Sequence, residues 1–213
     1  MKEDKIVISL GGSLVVPDDI DILFLREFKT LISAEANAGK KIFIMTGGGK
    51  IAREYQKIAK EISNPTDEDL DLIGIRALNL NAELVRVLFK DVPNVEAQVH
   101  GRTNPGASTD TGSVKLALEK NAKTVINLSN TDYVYDSDPK TNPNAKKLEN
   151  ISWALYRSII PKKWTPGLNT PFDPIASEIA EKEGIEVVII NGKPLNNFAK
   201  YLKGEKFAGT IIK

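Results

Sequence analysis

Asp110 is the residue from which the chemistry of this chain can be built. It closes the stretch GRTNPGASTD (101–110) just after Ser108 and Thr109 and stands where a helical pattern begins, so a carboxylate, two hydroxyls and helix N-terminal N–H groups converge. Such a set binds an anion and can orient a cation against it. Two glycine turns offer similar donors. Gly11, Gly12 and Ser13 follow the first apolar run; Gly47, Gly48, Gly49 and Lys50 follow the second, with Arg53 close behind. Paired glycines let backbone approach a ligand closely, and the two cations add charge for a polyanion. Polar Ser129, Asn130 and Asp132 come directly after a third apolar run, at the strand end where open α/β sheets keep their ligands. The convergence predicts a phosphate-handling cleft, without the G-x-x-x-x-G-K-[ST] pattern of a Walker loop. A lone carboxylate such as Asp71, on the polar side of a helix, reads by itself as a solvated or dipole-complementing group. His100, the only histidine, has no triad or metal-ligand spacing around it and reads as a strand-end residue.

Strands must end, and helices begin, at these glycines and hydroxyls. Residues 5–10 and 41–46 are apolar runs of strand type. Between them Ile20, Leu23, Phe24, Phe28, Leu31 and Ile32 keep a helical spacing that ends near Gly39, and a second helix is expected from Ile51 with Arg53 in its first turn. After a polar connection at 63–69, a longer helix carries Leu70, Ile73, Ala77, Leu84, Val87 and Leu88 as a stripe for the core or for a subunit interface. A turn at 91–94 leads to a weak strand at 95–99. Residues 124–128 form the next strand, KTNPNAKK a surface loop, and 153–160 a modest helix. The connection PKKWTPGLNTPFDP is long and interrupted by proline, which marks functional loops. Asp173 followed by Pro174 sets a cap and a first-turn proline for a helix to about Glu183. A strand at 186–190, a helix at 195–202 and a terminal strand in GTIIK complete the pattern. Strands alternating with helices predict an α/β fold: a doubly wound, mostly parallel sheet flanked by helices in three layers.

Composition narrows the partners. With 213 residues the chain can bury a sizeable core. A formal charge of +1 gives no bulk attraction for nucleic acid, so none is expected as a partner. No cysteine occurs, which removes disulfides, thiolate metal sites and cysteine nucleophiles. No window has the apolar length of a membrane span, and MKEDKIVISLGGS turns polar too soon for a signal peptide; a cytoplasmic location without membrane contact is expected.

Taken in order, the motifs resemble the amino-acid kinase fold and, within it, the archaeal-type uridylate kinases. The likeness rests on SLGGS (9–13), TGGGKIAREY (46–55), DLIGI…NA (71–82), TNPGASTD (103–110), NTDYVYDSDP (130–139), FDPIASEIAEKEGI (172–185) and the closing GEKFAGTIIK. The resemblance implies one amino-acid kinase-like domain over 1–213, with an acceptor lobe to about 120 and an ATP lobe after it. It implies transfer of the ATP γ-phosphoryl group to UMP, a step of pyrimidine biosynthesis, with magnesium on the ATP phosphates and no assigned metal site in the protein. ATP would meet Ser9, Leu10, Gly11, Gly12, Ser13, Gly49 and Arg53 at its phosphates, and Ser129, Asn130, Tyr135 and Asp138 at its nucleoside. UMP would meet Gly48 and Asp71, then Thr103, Asn104 and Pro105, then Gly106, Ala107, Ser108 and Thr109. Asp110 matches the aspartate that organises cationic groups at the site of transfer, and from its place at the helix mouth it could orient Lys50, Arg53 or magnesium toward the phosphates. A homo-oligomer, dimer or hexamer, is also implied.

The departures from the family pattern define two alternatives. Ser9 stands where a lysine is frequent, Glu178 where DPxAxK has lysine, Arg102 and Tyr133 where glycines occur, and Leu78 where a threonine does. Changes on the acceptor side admit a same-fold kinase for another small phosphate or acid. Loss of lysine at 9 and 178 admits a catalytically weak nucleotide-binding regulatory protein.

Overall fold

The computed structural model describes residues 4–98, 108–163, 168 and 170–213. In chain order the first half comprises β1 (Lys5–Leu10), α1 (Gly12–Val15), α2 (Ile22–Asn37), β2 (Lys41–Thr46), α3 (Gly49–Ile62), α4 (Asp67–Phe89) and β3 (Val95–Gln98). The second half comprises α5 (Thr109–Lys120), β4 (Thr124–Ser129), β5 (Val134–Tyr135), β6 (Lys147–Leu148), β7 (Asn150–Ile151), α6 (Trp153–Ile159), α7 (Pro174–Glu183), β8 (Glu186–Asn191), α8 (Leu195–Leu202) and β9 (Thr210–Ile212). One sheet carries the order β3-β2-β1-β4-β8-β9-β7, and β5 with β6 forms a small ribbon. The five strands from β3 to β8 are parallel; β9 runs antiparallel to β8. The expected doubly wound, mostly parallel sheet is therefore the fold.

Register places the site. Leu10 pairs with Thr46 on one side and Leu128 on the other, and Leu128 pairs with Ile190. The chain therefore leaves β1, β2, β4 and β8 at nearly one level. From β1 it proceeds to β2 and β3 on one side and resumes at β4 on the other, so the strand order reverses between β1 and β4, where a crevice opens at the carboxyl ends.

The period of two along a strand sorts side chains to two cores. Ile6, Ile8, Leu10, Ile42, Ile44, Ile126 and Leu128 face one core with Phe24 and Phe28 of α2 and Phe198 of α8. Val7, Phe43, Met45 and Val125 face the other, with Val114 of α5, Tyr156 of α6 and Ala176 of α7. By the same alternation Ser9 and Asn127 fall on the second face, and both are buried. Polar side chains thus enter an otherwise apolar layer at the strand ends.

Several elements differ from the expectation. α2 begins at Ile22, and Ile20 and Leu23 stay exposed because the helix meets the sheet from Phe24 onward. α3 begins at Gly49, which puts Arg53 in its second turn. The buried face of α4 is Leu70, Ile75, Leu78, Ala82, Val85 and Phe89, while Val87 is exposed. That face is turned by about one residue from the expected stripe, on the order of 100° around the axis. α1, β5, β6 and β7 are too short to carry a periodic signal. Ser108 caps α5 and Asp173 caps α7 with Pro174 in its first turn, the latter as its sequence predicts.

Candidate active site

The two glycine turns are built against each other. A Cβ on Gly12 would stand 2.2 Å from the Gly47 carbonyl oxygen and 2.5 Å from the Gly49 nitrogen. Gly49 has φ +63°, and a Cβ there would meet the Gly12 carbonyl carbon at 2.3 Å. Glycine is required at both positions by backbone packing, a reason that sequence reading assigns to the ligand instead. Two of the expected donors are also spoken for: the Gly11 N–H donates to the Leu128 carbonyl (2.8 Å) and the Gly47 N–H to the Leu10 carbonyl (3.0 Å), extending the strand ladders into the turns. The first-turn N–H groups of α3 lack intrahelical acceptors and remain for an anion.

Asn81 holds the second turn from behind. Buried on α4, it donates through Nδ2 to the carbonyls of Gly47 (2.9 Å) and Gly48 (3.3 Å). α4 comes close enough that a Cβ on Gly48 would lie 3.3 Å from the Gly74 carbonyl oxygen. Asn81 falls inside the DLIGI…NA motif, yet its role was not legible there. Nothing in an asparagine's spacing says which carbonyl it meets.

The two cations behave differently. Arg53 donates from Nη2 to Ser13 Oγ at 3.0 Å and so bridges the two turns. Lys50 instead pairs with Asp18, and with Glu54 at 3.5 Å, on the exposed surface. That partnership holds the Asp18 carboxyl below its ordinary range and raises the Lys50 ammonium.

Asp110, in the first turn of α5, is the hub of a buried polar network. Its Oδ1 accepts from Asn127 Nδ2 (3.2 Å) and Ser9 Oγ (3.4 Å), and its Oδ2 from the backbone N–H of Asp173 (3.1 Å). Asp173 in turn spends one oxygen on the N–H groups of Ile175 (2.7 Å) and Ala176 (2.9 Å) and the other on the hydroxyls of Ser108 and Thr111. The N-termini of α5 and α7 are locked together through this carboxylate. Burial, and then the charge of Asp173, push the Asp110 carboxyl up to about 7, against the pull of its hydrogen bonds. Among the described residues no lysine or arginine forms an ion pair with Asp110.

Behind this network Tyr156 on α6 is fully buried, and its hydroxyl donates to the Phe172 carbonyl (2.7 Å) while accepting from the Phe172 N–H (2.7 Å). Burial and the Asp110 charge both raise its phenol. Asn127 and Tyr156 lie outside every motif that sequence reading singles out.

The remaining expected residues are distributed as follows. Ser129 and Asn130 stand at the end of β4, where Ser129 Oγ accepts from the Thr131 N–H (3.3 Å). Tyr135 lies in β5 with its ring at 6.4 Å from that of Tyr133. Asp138 accepts from the Lys140 N–H (2.9 Å) and shapes a turn through Asn142. Thr109 Oγ1 lies beside Gly47, since a Cβ there would meet it at 3.6 Å. Asp71 is half-buried on α4, adjoining the α3 side, where Gln56 donates to the Leu70 carbonyl (2.8 Å). Glu178 is exposed on α7 and lines a cleft of about 510 Å³ with Arg157, Lys162, Pro174 and Glu181. Thr103, Asn104, Pro105, Gly106 and Ala107, with Arg102 and His100, lie outside the described residues.

A parallel sheet whose glycine turns, helix N-termini and buried carboxylate meet at its switch point has the architecture of an α/β protein built around a phosphorylated ligand. Residues 4–106 and 76–191 match the model of the amino acid kinase family. The chain is 36% identical to a uridylate kinase of Archaeoglobus fulgidus and 33% to one of Pyrococcus abyssi, each time over 98% of this chain and 99% of the relative. The crystal structure of uridylate kinase from Archaeoglobus fulgidus superposes with a TM-score of 0.79, covering 98% of this chain and all of that one. The chain belongs to the amino acid kinase family.

Proposed function

We propose that this protein is a uridylate kinase, a phosphotransferase that moves the γ-phosphoryl group of ATP to UMP and yields UDP and ADP. The observation that carries the reading is similarity along the whole chain, at 33–36% identity, to proteins named for that activity. The geometry agrees with it. In-line transfer between phosphate oxygens asks of the protein mainly positioning and neutralisation of charge. ATP enters as its magnesium complex. On this reading the ion would travel on the phosphate oxygens of ATP and count as part of the substrate.

The donor phosphates meet the N–H groups of Gly12, Ser13 and Gly49 and the Arg53 guanidinium, with Ser9 and Leu10 at the strand end behind them. The nucleoside lies toward Ser129, Asn130, Tyr135 and Asp138. UMP occupies the side of Gly48, Asp71, Ser108 and Thr109, with residues 103–107 next in the chain. Asp110 stands where donor and acceptor lobes join, about residue 120, and its carboxylate holds the charge balance there. A homo-oligomer working in the cytoplasm completes the reading.

A coupled assay of ADP release against UMP, CMP, AMP and GMP tests it. UMP should be the preferred acceptor, and UMP should raise the melting temperature without ATP by mass action. No UMP-dependent ADP release, with release on another monophosphate or small acid, would replace the acceptor; no release on any would replace the kinase.

A further inference from the structure

Asn127 is the one strongly polar side chain in the interior of β4, set between Ile126 and Leu128, and it is 5% exposed. Both of its short contacts are made by the same atom: Nδ2 donates to Asp110 Oδ1 at 3.2 Å and to the Pro171 carbonyl at 3.0 Å. Since both partners accept, the amide can face them in only one orientation. Its two N–H bonds therefore tie the Asp110 carboxylate to the backbone just before Phe172. From the far side Tyr156 Oη grips the N–H and the carbonyl of Phe172. The next residue, Asp173, supplies the N–H that reaches Asp110 Oδ2. Segment 171–173 is thus held at three successive residues, and both oxygens of Asp110 are fixed by it or by the amide that also holds it.

We infer that Asn127 is a positioning residue for phosphoryl transfer, which holds the Asp110 carboxyl group in place, with Tyr156 anchoring the backbone it works through. The inference rests on the uridylate kinase reading for the reaction but not for the arrangement itself. A strand interior favours an apolar residue at this place, and a buried amide there is tolerated because both its hydrogens are used. On the same face and at the same level, Met45 of β2 and Ile189 of β8 are apolar. Charge around Asp110 makes the amide matter. Facing it are Asp173 of the α7 cap and Tyr156 from α6 as titratable groups and Ser9 from β1 as a neutral one, while the hydroxyls of Ser108 and Thr111 donate to Asp173 instead. With the Asp173 carboxylate on one side, Asp110 is oriented by three neutral donors, and the Asn127 amide is one of them.

The test compares wild type with Asn127→Leu, which keeps volume and removes the donor, by steady-state kinetics over pH 5.5–9 and by ¹³C carboxyl NMR titration of Asp110. Expected in the variant are a kcat lower by up to about 100-fold, KM for UMP and for magnesium-ATP within about threefold, and an acid limb displaced to higher pH. The NMR midpoint of Asp110 should move upward with it. A folded Asn127→Leu whose kcat and Asp110 midpoint match wild type would overturn the inference, as would a loss confined to KM. Where Asn127→Leu does not fold, Asn127→Thr, too short to reach Asp110, is read by the same criteria. Wild type inactive on UMP would refute the kinase reading alone, since the NMR midpoint still reports on Asn127.

Discussion

Replacing Asp110 by asparagine should stabilise the fold at alkaline pH and not at acid pH. The carboxyl lies at about 7 in the folded chain against an ordinary 3.8, chiefly because it is buried. A group with a raised folded pKa contributes stability that is fully present below the unfolded value and is lost as pH climbs through the folded one. For Asp110 the window runs from about 4 to about 7, and at 1.4 kcal/mol per pKa unit the loss at pH 8 is on the order of 4 kcal/mol. Asparagine never ionises, so it escapes that loss. It also brings an NH₂ against Asn127 Nδ2, a donor facing a donor, which costs about 1–3 kcal/mol at every pH. The balance is a variant more stable than wild type by on the order of 2 kcal/mol at pH 8 and less stable near pH 4.5. For a chain of this size that is roughly 4–8 °C in melting temperature, with the sign reversing in between. Thermal denaturation of both proteins at half-unit steps of pH measures it. A melting difference that stays constant from pH 5 to pH 8 would refute the reasoning, because a constant offset contains no titration. Turnover should fall by orders of magnitude in the same variant, which separates the carboxylate's part in transfer from its cost to the fold.

Three further outcomes follow from the site. Gly12→Ala should destabilise by at least about 2 kcal/mol in urea titration and weaken magnesium-ATP binding with it, since the new methyl meets backbone rather than a movable side chain. Asn81→Ala strips the Gly47 and Gly48 carbonyls of a buried donor and should cost about 1–3 kcal/mol by denaturant midpoint, although residue 81 touches no substrate. Arg53→Met should raise KM for magnesium-ATP at least tenfold, about 1.4 kcal/mol, whereas Lys50→Met should change it less than threefold, because Lys50 is engaged by Asp18 and Glu54; equal effects in initial-rate kinetics would show that Lys50 leaves those partners for the phosphates.

What could be read from the residues was local and repetitive. The parallel sheet follows from apolar runs alternating with helical spacing, and the α7 cap from Asp173 before Pro174, since each is decided within a few neighbouring residues. Burial of α4 is decided elsewhere. Its apolar residues run nearly all the way round, and only the close approach at Gly48 and Gly74 selects Leu78 and Ala82 over Ala77 and Val87 as the inward face. The same holds at the site. Asp110 announces itself by its hydroxyl neighbours and helix start, but Asn127, 17 residues on, and Asp173, farther still, reach it only through sheet register and the packing of α7, with Tyr156 of α6 behind them on Phe172. Glycine misleads in the opposite way. Gly12 and Gly49 look like places for a ligand, and they are first of all places where one backbone meets another.

On the proposed reading, the phosphates at the crevice meet helix N-terminal dipoles and the Arg53 guanidinium. Lys50 is held outward by two carboxylates, and Glu178 projects into the cleft between α6 and α7 with Arg157 and Lys162 rather than toward the glycine turns. On that reading Glu178 would therefore add little repulsion to a phosphate lying over α3. Positive potential at the crevice comes from Arg53 and from the first-turn N–H groups of α3, and on the proposed reading magnesium brought by ATP would add to it. Donors of this kind need no reorganisation during the reaction, but their strength depends on being held still. That requirement accounts for the two glycine turns locked together by backbone contact, for Asn81 behind them, and for the hydrogen bonds that bind segment 171–173 to β4, α5 and α6. On the proposed reading, fixed neutral donors do here what lysines would otherwise do, and the buried Asp110 carboxyl at their centre keeps its orientation only while they keep their places.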